Sequence, residues 1–178
     1  MIYEPAEDSY LLEKEIRKYS KGKSFLDIGS GSGILVESAK EAGASSILAS
    51  DINPESIILL KEKGIPAVIS DLFSNIQGTF DIIAFNPPYL PEDESGLEDD
   101  ESETITTGGK KGDEIIIRFL KEARKHLSPG GIILTVLSSL TPKNRILSLL
   151  KSKKLSFQIL SHQKLFMETI EVWKIQKA

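Results

Sequence analysis

The run Ser24-Phe-Leu-Asp-Ile-Gly-Ser-Gly-Ser-Gly33 decides the fold. Its first five residues read as a short apolar strand, with Gly22 before it and Gly29 after it marking the ends. The glycines at 29, 31 and 33 make a turn, and Ile34 to Ala42 then reads as a helix stopped by Gly43. Glycine tolerates positive φ and lets the backbone approach a ligand closely, so strand, glycine turn and helix together suggest a binding edge. The spacing is G-x-G-x-G and not the G-x-G-x-x-G of dinucleotide sites, and no P-loop lysine follows it. A nucleoside triphosphate is therefore not indicated.

Outward from this unit the elements alternate. Residues 8–19 read as a helix with Leu11, Leu12, Ile16 and Tyr19 on one stripe, and Ser46 to Ser50 as the second strand. Pro54 opens a helix that Gly64 closes; Ala67 to Ser70 and Phe80 to Phe85 are the third and fourth strands. The spacing predicts a helix over 113–127 with Ile116, Ile117, Leu120 and Leu127 inward, broken by Ser128-Pro-Gly-Gly131. A fifth strand spans 132–137, a helix 143–154, and two strands near 156–161 and 169–175 pair across a short connection. Early strands that are apolar throughout are buried on both faces, whereas the last two have no helix between them. The expected fold is α/β and Rossmann-like: a seven-stranded, mostly parallel sheet with an antiparallel edge hairpin and helices on both faces. No repeat or Pro/Gly/Ser linker divides the chain, so residues 1–178 are read as a single domain.

Ligands in such sheets bind beyond the carboxyl ends of the strands. Here those ends carry Asp27, Asp51 and Asp71, one for each of the first three strands. Asp51, next to Ile52, suits the hydroxyls of a ribose. Asp71-Leu72 suits an adenine edge, and Asp27 a ligand ammonium. Together with the turn of Gly29, Gly31 and Gly33 they describe a pocket for an adenosine with a cationic tail and no phosphates, which S-adenosylmethionine fits. The fourth strand ends in Asn86-Pro-Pro-Tyr89. An Asn, two rigid prolines and an aromatic ring at one sheet edge suit a planar group bearing an NH2, and methyl transfer to a planar nitrogen follows.

The bulk properties narrow the classes. A chain of 178 residues without cysteine has neither disulfides nor thiolate metal sites, and His126 and His162 have no second ligand nearby in sequence, so no metal is expected. No apolar run reaches the roughly 20 residues of a membrane span. Met1 to Pro5 has neither a basic region nor an apolar signal core, and a cytoplasmic enzyme is expected. The net charge of −4 hides an asymmetry: residues 1–109 hold 8 Lys and Arg against 21 Asp and Glu (net −13), residues 110–178 hold 14 against 5 (net +9). The acidic run 92–103 reads either as a solvated loop or as a lid or docking surface for a basic partner.

Three segments carry a family resemblance: Tyr3-Glu-Pro-Ala-Glu-Asp-Ser-Tyr10, Asn86-Pro-Pro-Tyr89 and Gly108-Gly-Lys-Lys-Gly-Asp113. With Leu26 to Gly33 and Asp51, the chain resembles the class I S-adenosylmethionine-dependent methyltransferases. More narrowly it resembles the HemK/PrmC-related protein-glutamine N5-methyltransferases, in their short archaeal and eukaryotic branch. The resemblance implies cofactor contacts from Ser9, Asp27, Gly29, Asp51, Asp71, Leu72 and Asn86, with Gly31, Gly33 and Ile52 beside them. It also implies residues 1–20 as an N-terminal helix closing the cofactor site and 90–112 as an acidic, glycine-ended substrate loop. The substrate would be the Gly-Gly-Gln loop of a class I translation release factor, and the partner a small zinc-binding activator subunit.

A carboxamide nitrogen is a poor nucleophile because its lone pair is delocalised. Two acceptors aimed at its N–H bonds hold the NH2 and favour pyramidalisation; the Asn86 side-chain oxygen and the Pro87 carbonyl are assigned to this, with Pro88 fixing the turn and Tyr89 packing on the amide plane. The same grip serves an exocyclic base amine of RNA or DNA, with a flipped base on Tyr89 and phosphates on the basic C-terminal third. The absence of Lys and Arg between Lys63 and Lys110 argues against that alternative. A non-catalytic scaffold and a lysine methyltransferase are further rivals.

Overall fold

The computed structural model describes residues 2, 4–89 and 109–178. The acidic run at 92–103, together with Tyr3 and Gly108 of the quoted segments, lies outside them. The described elements run α1 (Glu7–Tyr19), β1 (Ser24–Ile28), α2 (Ile34–Glu41), β2 (Ser46–Asp51), α3 (Pro54–Glu62), β3 (Ala67–Ile69) and β4 (Phe80–Phe85). They continue with α4 (Glu114–Ala123), a 3-10 turn (Arg124–His126), β5 (Leu127–Ser138), α5 (Asn144–Ser152), β6 (Leu155–Lys164) and β7 (Thr169–Lys177).

The seven strands among the described residues form one sheet in the order β3-β2-β1-β4-β5-β7-β6. Strands β3, β2, β1, β4 and β5 pair in parallel, whereas β7 lies antiparallel to both β5 and β6. Side chains alternate between two cores because successive residues of a strand point to opposite faces. Phe25, Ile82, Ala84, Leu134 and Val136 pack under α1, α2 and α3. Leu26, Ile28, Ile83, Phe85 and Ile133 pack under α4 and α5. The expected inward residues of the helices follow suit: Leu12, Ile16, Ile116 and Leu120 are buried to 1% exposure or less.

The largest departures from the sequence reading lie between 113 and 138, while β6 runs on to Lys164 and β7 to Lys177, past the expected 161 and 175. The predicted helix over 113–127 stops at Ala123 and tightens into the 3-10 turn. Ser128-Pro-Gly-Gly131, read as a break, lies inside β5. Phe80 pairs with Leu127 and the register then jumps to Ile82 with Ile132, so β5 advances five positions while β4 advances two, and three extra residues are absorbed as an irregularity in the ladder. Asp81 holds it, accepting from the Ser128 hydroxyl (2.6 Å) and, on its other oxygen, from Ser24 N (3.0 Å). These bonds keep the Asp81 carboxyl below the usual carboxylate range, the Ser128 hydroxyl contributing most. Gly131 is required there, since a Cβ would stand 2.9 Å from the Phe80 carbonyl oxygen.

The register places the site. Ile28 pairs with both Ser50 and Phe85, and Asp51 with Ile69, so four parallel strands end nearly flush. Gly29, Asp51, Asp71 and Asn86 thus emerge along one edge. The β1/β4 boundary is where the strand order reverses, the place at which doubly wound sheets bind ligands.

Candidate active site

The glycine turn takes a left-handed backbone that favours glycine. Gly29, Gly31 and Gly33 have φ of 66°, 50° and 95°. At Gly33 a Cβ would also stand 2.6 Å from Leu60 Cδ2, so the turn packs against α3 as well. Asp51 ties this turn to β2: its Oδ2 accepts from Gly31 N at 2.8 Å, and its Oδ1 from Asn53 N at 2.8 Å. Asn53 in turn caps α3 by accepting from Glu55 N.

Asp27 lies one position before Ile28 on the face shared with Phe25 and Ala84, wholly buried. Among the described residues neither of its carboxylate oxygens has a hydrogen-bond partner. Burial pushes the Asp27 carboxyl up to about 8; the nearby Ser30 hydroxyl, whose hydrogen goes to the Asp27 backbone carbonyl, lowers it, the charge of Asp51 raises it and the Val36 amide lowers it. A buried carboxylate of this kind costs several kcal/mol unless a cation or donors meet it.

Asn86, half-buried, follows β4 with its amide turned toward α1. Its Nδ2 donates to Asp8 Oδ2 (3.1 Å) and Ser9 Oγ (3.3 Å), while its Oδ1 is buried with no partner among the described residues. Ser9 and Asp8 are themselves buried at the start of α1. Pro87 is buried, and Pro88 and Tyr89 half-buried. The Tyr89 ring packs against the α1–α3 core, and its carbonyl accepts from Thr141 Oγ1 at 3.4 Å.

Asp71 and Leu72 stand at the far side. Asp71 Oδ2 accepts from Arg118 Nη2 at 2.8 Å, so the pair takes one of the two oxygens that the adenine reading had left open. Both partners are about half exposed, and such a pair is worth about 0–1 kcal/mol. Leu72 is buried with φ of 49°, rare for a residue with a branched side chain; the Ser70 hydroxyl donates to its carbonyl at 2.8 Å and holds the turn. Ile52 is 66% exposed.

The structure therefore brings Ser9, Asp27, the glycine turn, Asp51 and Asn86 to one strand-end edge, with Asp71 and Leu72 at the next strand end and Ile52 on the rim. Sequence reading passed over Asp8. The available signal was its spacing: Asp8 sits three and four residues before Leu11 and Leu12, on the apolar stripe of α1, where a carboxylate is out of place unless it has partners. Among the described residues no cluster of three or more His, Asp or Glu could hold a metal, and no helix is long and apolar enough to cross a membrane.

This sheet order, with a glycine turn after β1 and an acid ending β2, is the layout of the class I methyltransferases. The family model "Methyltransferase small domain" matches residues 7–99. A Methanocaldococcus jannaschii protein named "Putative protein N5-glutamine methyltransferase" is 38% identical, across 98% of this chain and 92% of its own length. The Homo sapiens methyltransferase HEMK2 is 29% identical, across 99% of this chain and 90% of its own. Among solved structures, the E. cuniculi Mtq2-Trm112 complex, described as responsible for methylation of the eRF1 translation termination factor, matches with a TM-score of 0.80 and 26% identity over 99% of both chains. The chain belongs to the HemK-related protein N5-glutamine methyltransferases of the methyltransferase small-domain family. Its cofactor is S-adenosylmethionine. The edge has features that would suit that molecule: a buried carboxylate, without a partner among the described residues, where an ammonium could sit, and an acid at the end of β2 within reach of a ribose.

Proposed function

We propose that this chain methylates the side-chain amide nitrogen of a glutamine in the Gly-Gly-Gln loop of a class I translation release factor. The observation that carries the reading is the Asn86 side chain, whose donors are committed to Asp8 and Ser9 and whose buried Oδ1 is left as an acceptor. That is the chemistry an incoming NH2 requires.

When bound, S-adenosylmethionine supplies an electrophilic methyl group on a sulfonium centre. Asp27 receives the ammonium of its amino-acid tail, Asp51 the ribose hydroxyls through the lone pairs that the Gly31 and Asn53 amides leave. Asp71 and Leu72 border the adenine, with Ile52 on its outer rim; Gly29, Gly31 and Gly33 give backbone clearance, and Ser9 closes the site from α1. Asn86 Oδ1 and the Pro87 carbonyl each accept one N–H of the substrate amide, turning its lone pair toward the methyl carbon. Pro88 keeps that carbonyl in place, and Tyr89 limits the plane in which the amide lies. Positioning and preorganised dipoles of this kind supply roughly 7–11 kcal/mol when alignment is near ideal. No general base is needed, because the methylated nitrogen is acidic and loses its proton to water.

In this reading residues 1–178 act as a single catalytic domain, residues 1–20 close the cofactor site, and the acidic, glycine-ended segment 90–112 meets the protein substrate. A small activator subunit, zinc-binding in this account, is the proposed partner; the E. cuniculi relative in complex with Trm112 supports it. The test is transfer of labelled methyl groups into a release factor, RNA and DNA side by side, with and without such a subunit. Label confined to the nucleic acids would refute the reading.

A further inference from the structure

We propose that Asp8 is a positioning residue that dictates which end of the Asn86 amide faces the substrate. The inference rests on the functional reading above and adds to it the origin of the acceptor. The two ends of an Asn side chain have nearly the same shape, so packing alone does not choose between presenting oxygen and presenting NH2. Here the neighbours choose. Asp8 is 4% exposed and sits in the first turn of α1, where the helix dipole favours a negative charge. Its Oδ1 accepts from Ser9 N (2.6 Å) and from the Ser9 hydroxyl (3.2 Å), and its Oδ2 accepts from Asn86 Nδ2 (3.1 Å).

The Ser9 hydroxyl, having given its hydrogen to Asp8, faces Asn86 with a lone pair at 3.3 Å. Both hydrogens of Asn86 Nδ2 are therefore engaged by α1. Asp8 Oδ2 is an acceptor here, so rotating the amide by half a turn would set Oδ1, a second acceptor, against it with no proton between them. The arrangement holds Oδ1 toward the reaction centre and leaves it buried with no partner among the described residues, a loss that a donor from a ligand removes.

The test uses two substitutions with opposite size and polarity. Asp8→Asn keeps the shape, but with its oxygen held by Ser9 N it turns an NH2 toward Asn86, and the Asn86 amide flips to answer it. Asp8→Ala removes more atoms yet imposes no orientation. We expect kcat for glutamine methylation to fall about 100-fold or more in Asp8→Asn and by a clearly smaller factor in Asp8→Ala, with the KM for S-adenosylmethionine changed by less than about threefold in both. A purely structural Asp8 gives the reverse order, the larger truncation being the worse, and that order would overturn the proposal. Adding Asp8→Asn to an Asn86→Ala background should cost nothing further. NMR of the wild-type protein supplies a readout independent of turnover and of any variant's folding: the Asn86 side-chain NH2 should exchange slowly with water while Asp8 and Ser9 hold it, and rapid exchange contradicts the assignment. A wild type with no glutamine activity but a protected Asn86 NH2 would sink the functional reading and leave the Asp8 assignment standing.

Discussion

Asp51 and Gly31 are joined by a 2.8 Å hydrogen bond from the glycine amide to the carboxylate, which fastens the loop after β1 to the end of β2. The same carboxylate holds the amide of Asn53, the cap of α3. Asp51 thus shapes the cofactor edge before any ligand arrives. Asp51→Ala should lower S-adenosylmethionine affinity at least tenfold in calorimetry, because hydrogen bonds to a charged group are worth about 1.5–3 kcal/mol each. Asp51→Asn, which keeps one acceptor, should fall between that variant and wild type.

The Asp27 carboxyl, held at about 8 by burial, makes both stability and binding depend on pH. Between pH 4 and 8 the folded protein retains a proton here that the unfolded chain has lost, so stability falls as pH rises through this window and levels off above it. Asp27→Asn removes that dependence. The variant should melt higher than wild type at pH 8 and lose the advantage by pH 4; it should bind S-adenosylmethionine at least tenfold more weakly at pH 8, the gap narrowing as pH falls and the wild-type carboxyl keeps its proton. Wild-type cofactor binding near pH 7 should release a proton, since an ammonium beside Asp27 draws the carboxyl into its ionised form; calorimetry in buffers of different ionisation enthalpy detects it.

Asn86→Ala should leave the fold and cofactor affinity close to wild type and lower methyl transfer by two or more orders of magnitude. Single-turnover assays with labelled cofactor separate this from a binding defect. Near-normal turnover would remove the amide grip from the mechanism.

Gly33→Ala should cost about 1–3 kcal/mol and lower the melting temperature by several degrees, because its Cβ meets Leu60 Cδ2 at 2.6 Å and φ stays at 95°. Gly22→Ala also carries the strain of a positive φ but meets no atom within 4 Å, so a smaller loss is expected there. Paired thermal scans compare the two.

Much of this architecture was legible because its signals are local. The apolar strands at 24–28 and 80–85 match the structure residue for residue, and Gly43 and Gly64 end their helices at positive φ as a C-terminal glycine should. Ser128-Pro-Gly-Gly131 misled because a Pro-Gly pair signals a turn, while its actual environment, a kinked ladder clamped by Asp81, depends on a residue 47 positions away. The site divides in the same manner. Asp27, Asp51 and Asn86 could be placed from strand ends alone. The partners of Asn86 and Asp71 could not: the contact of Asp8 with Asn86 spans 78 positions, and that of Arg118 with Asp71 spans 47, and both are set by how helices lie across the sheet.

Mass spectrometry of a class I release factor incubated with the enzyme and isotopically labelled S-adenosylmethionine decides whether glutamine is the methyl acceptor. One labelled methyl group is expected on the side-chain nitrogen of the glutamine in the Gly-Gly-Gln loop, lost with Asn86→Ala. An unmodified glutamine under conditions where the same preparation labels another residue or a nucleic-acid base would contradict it.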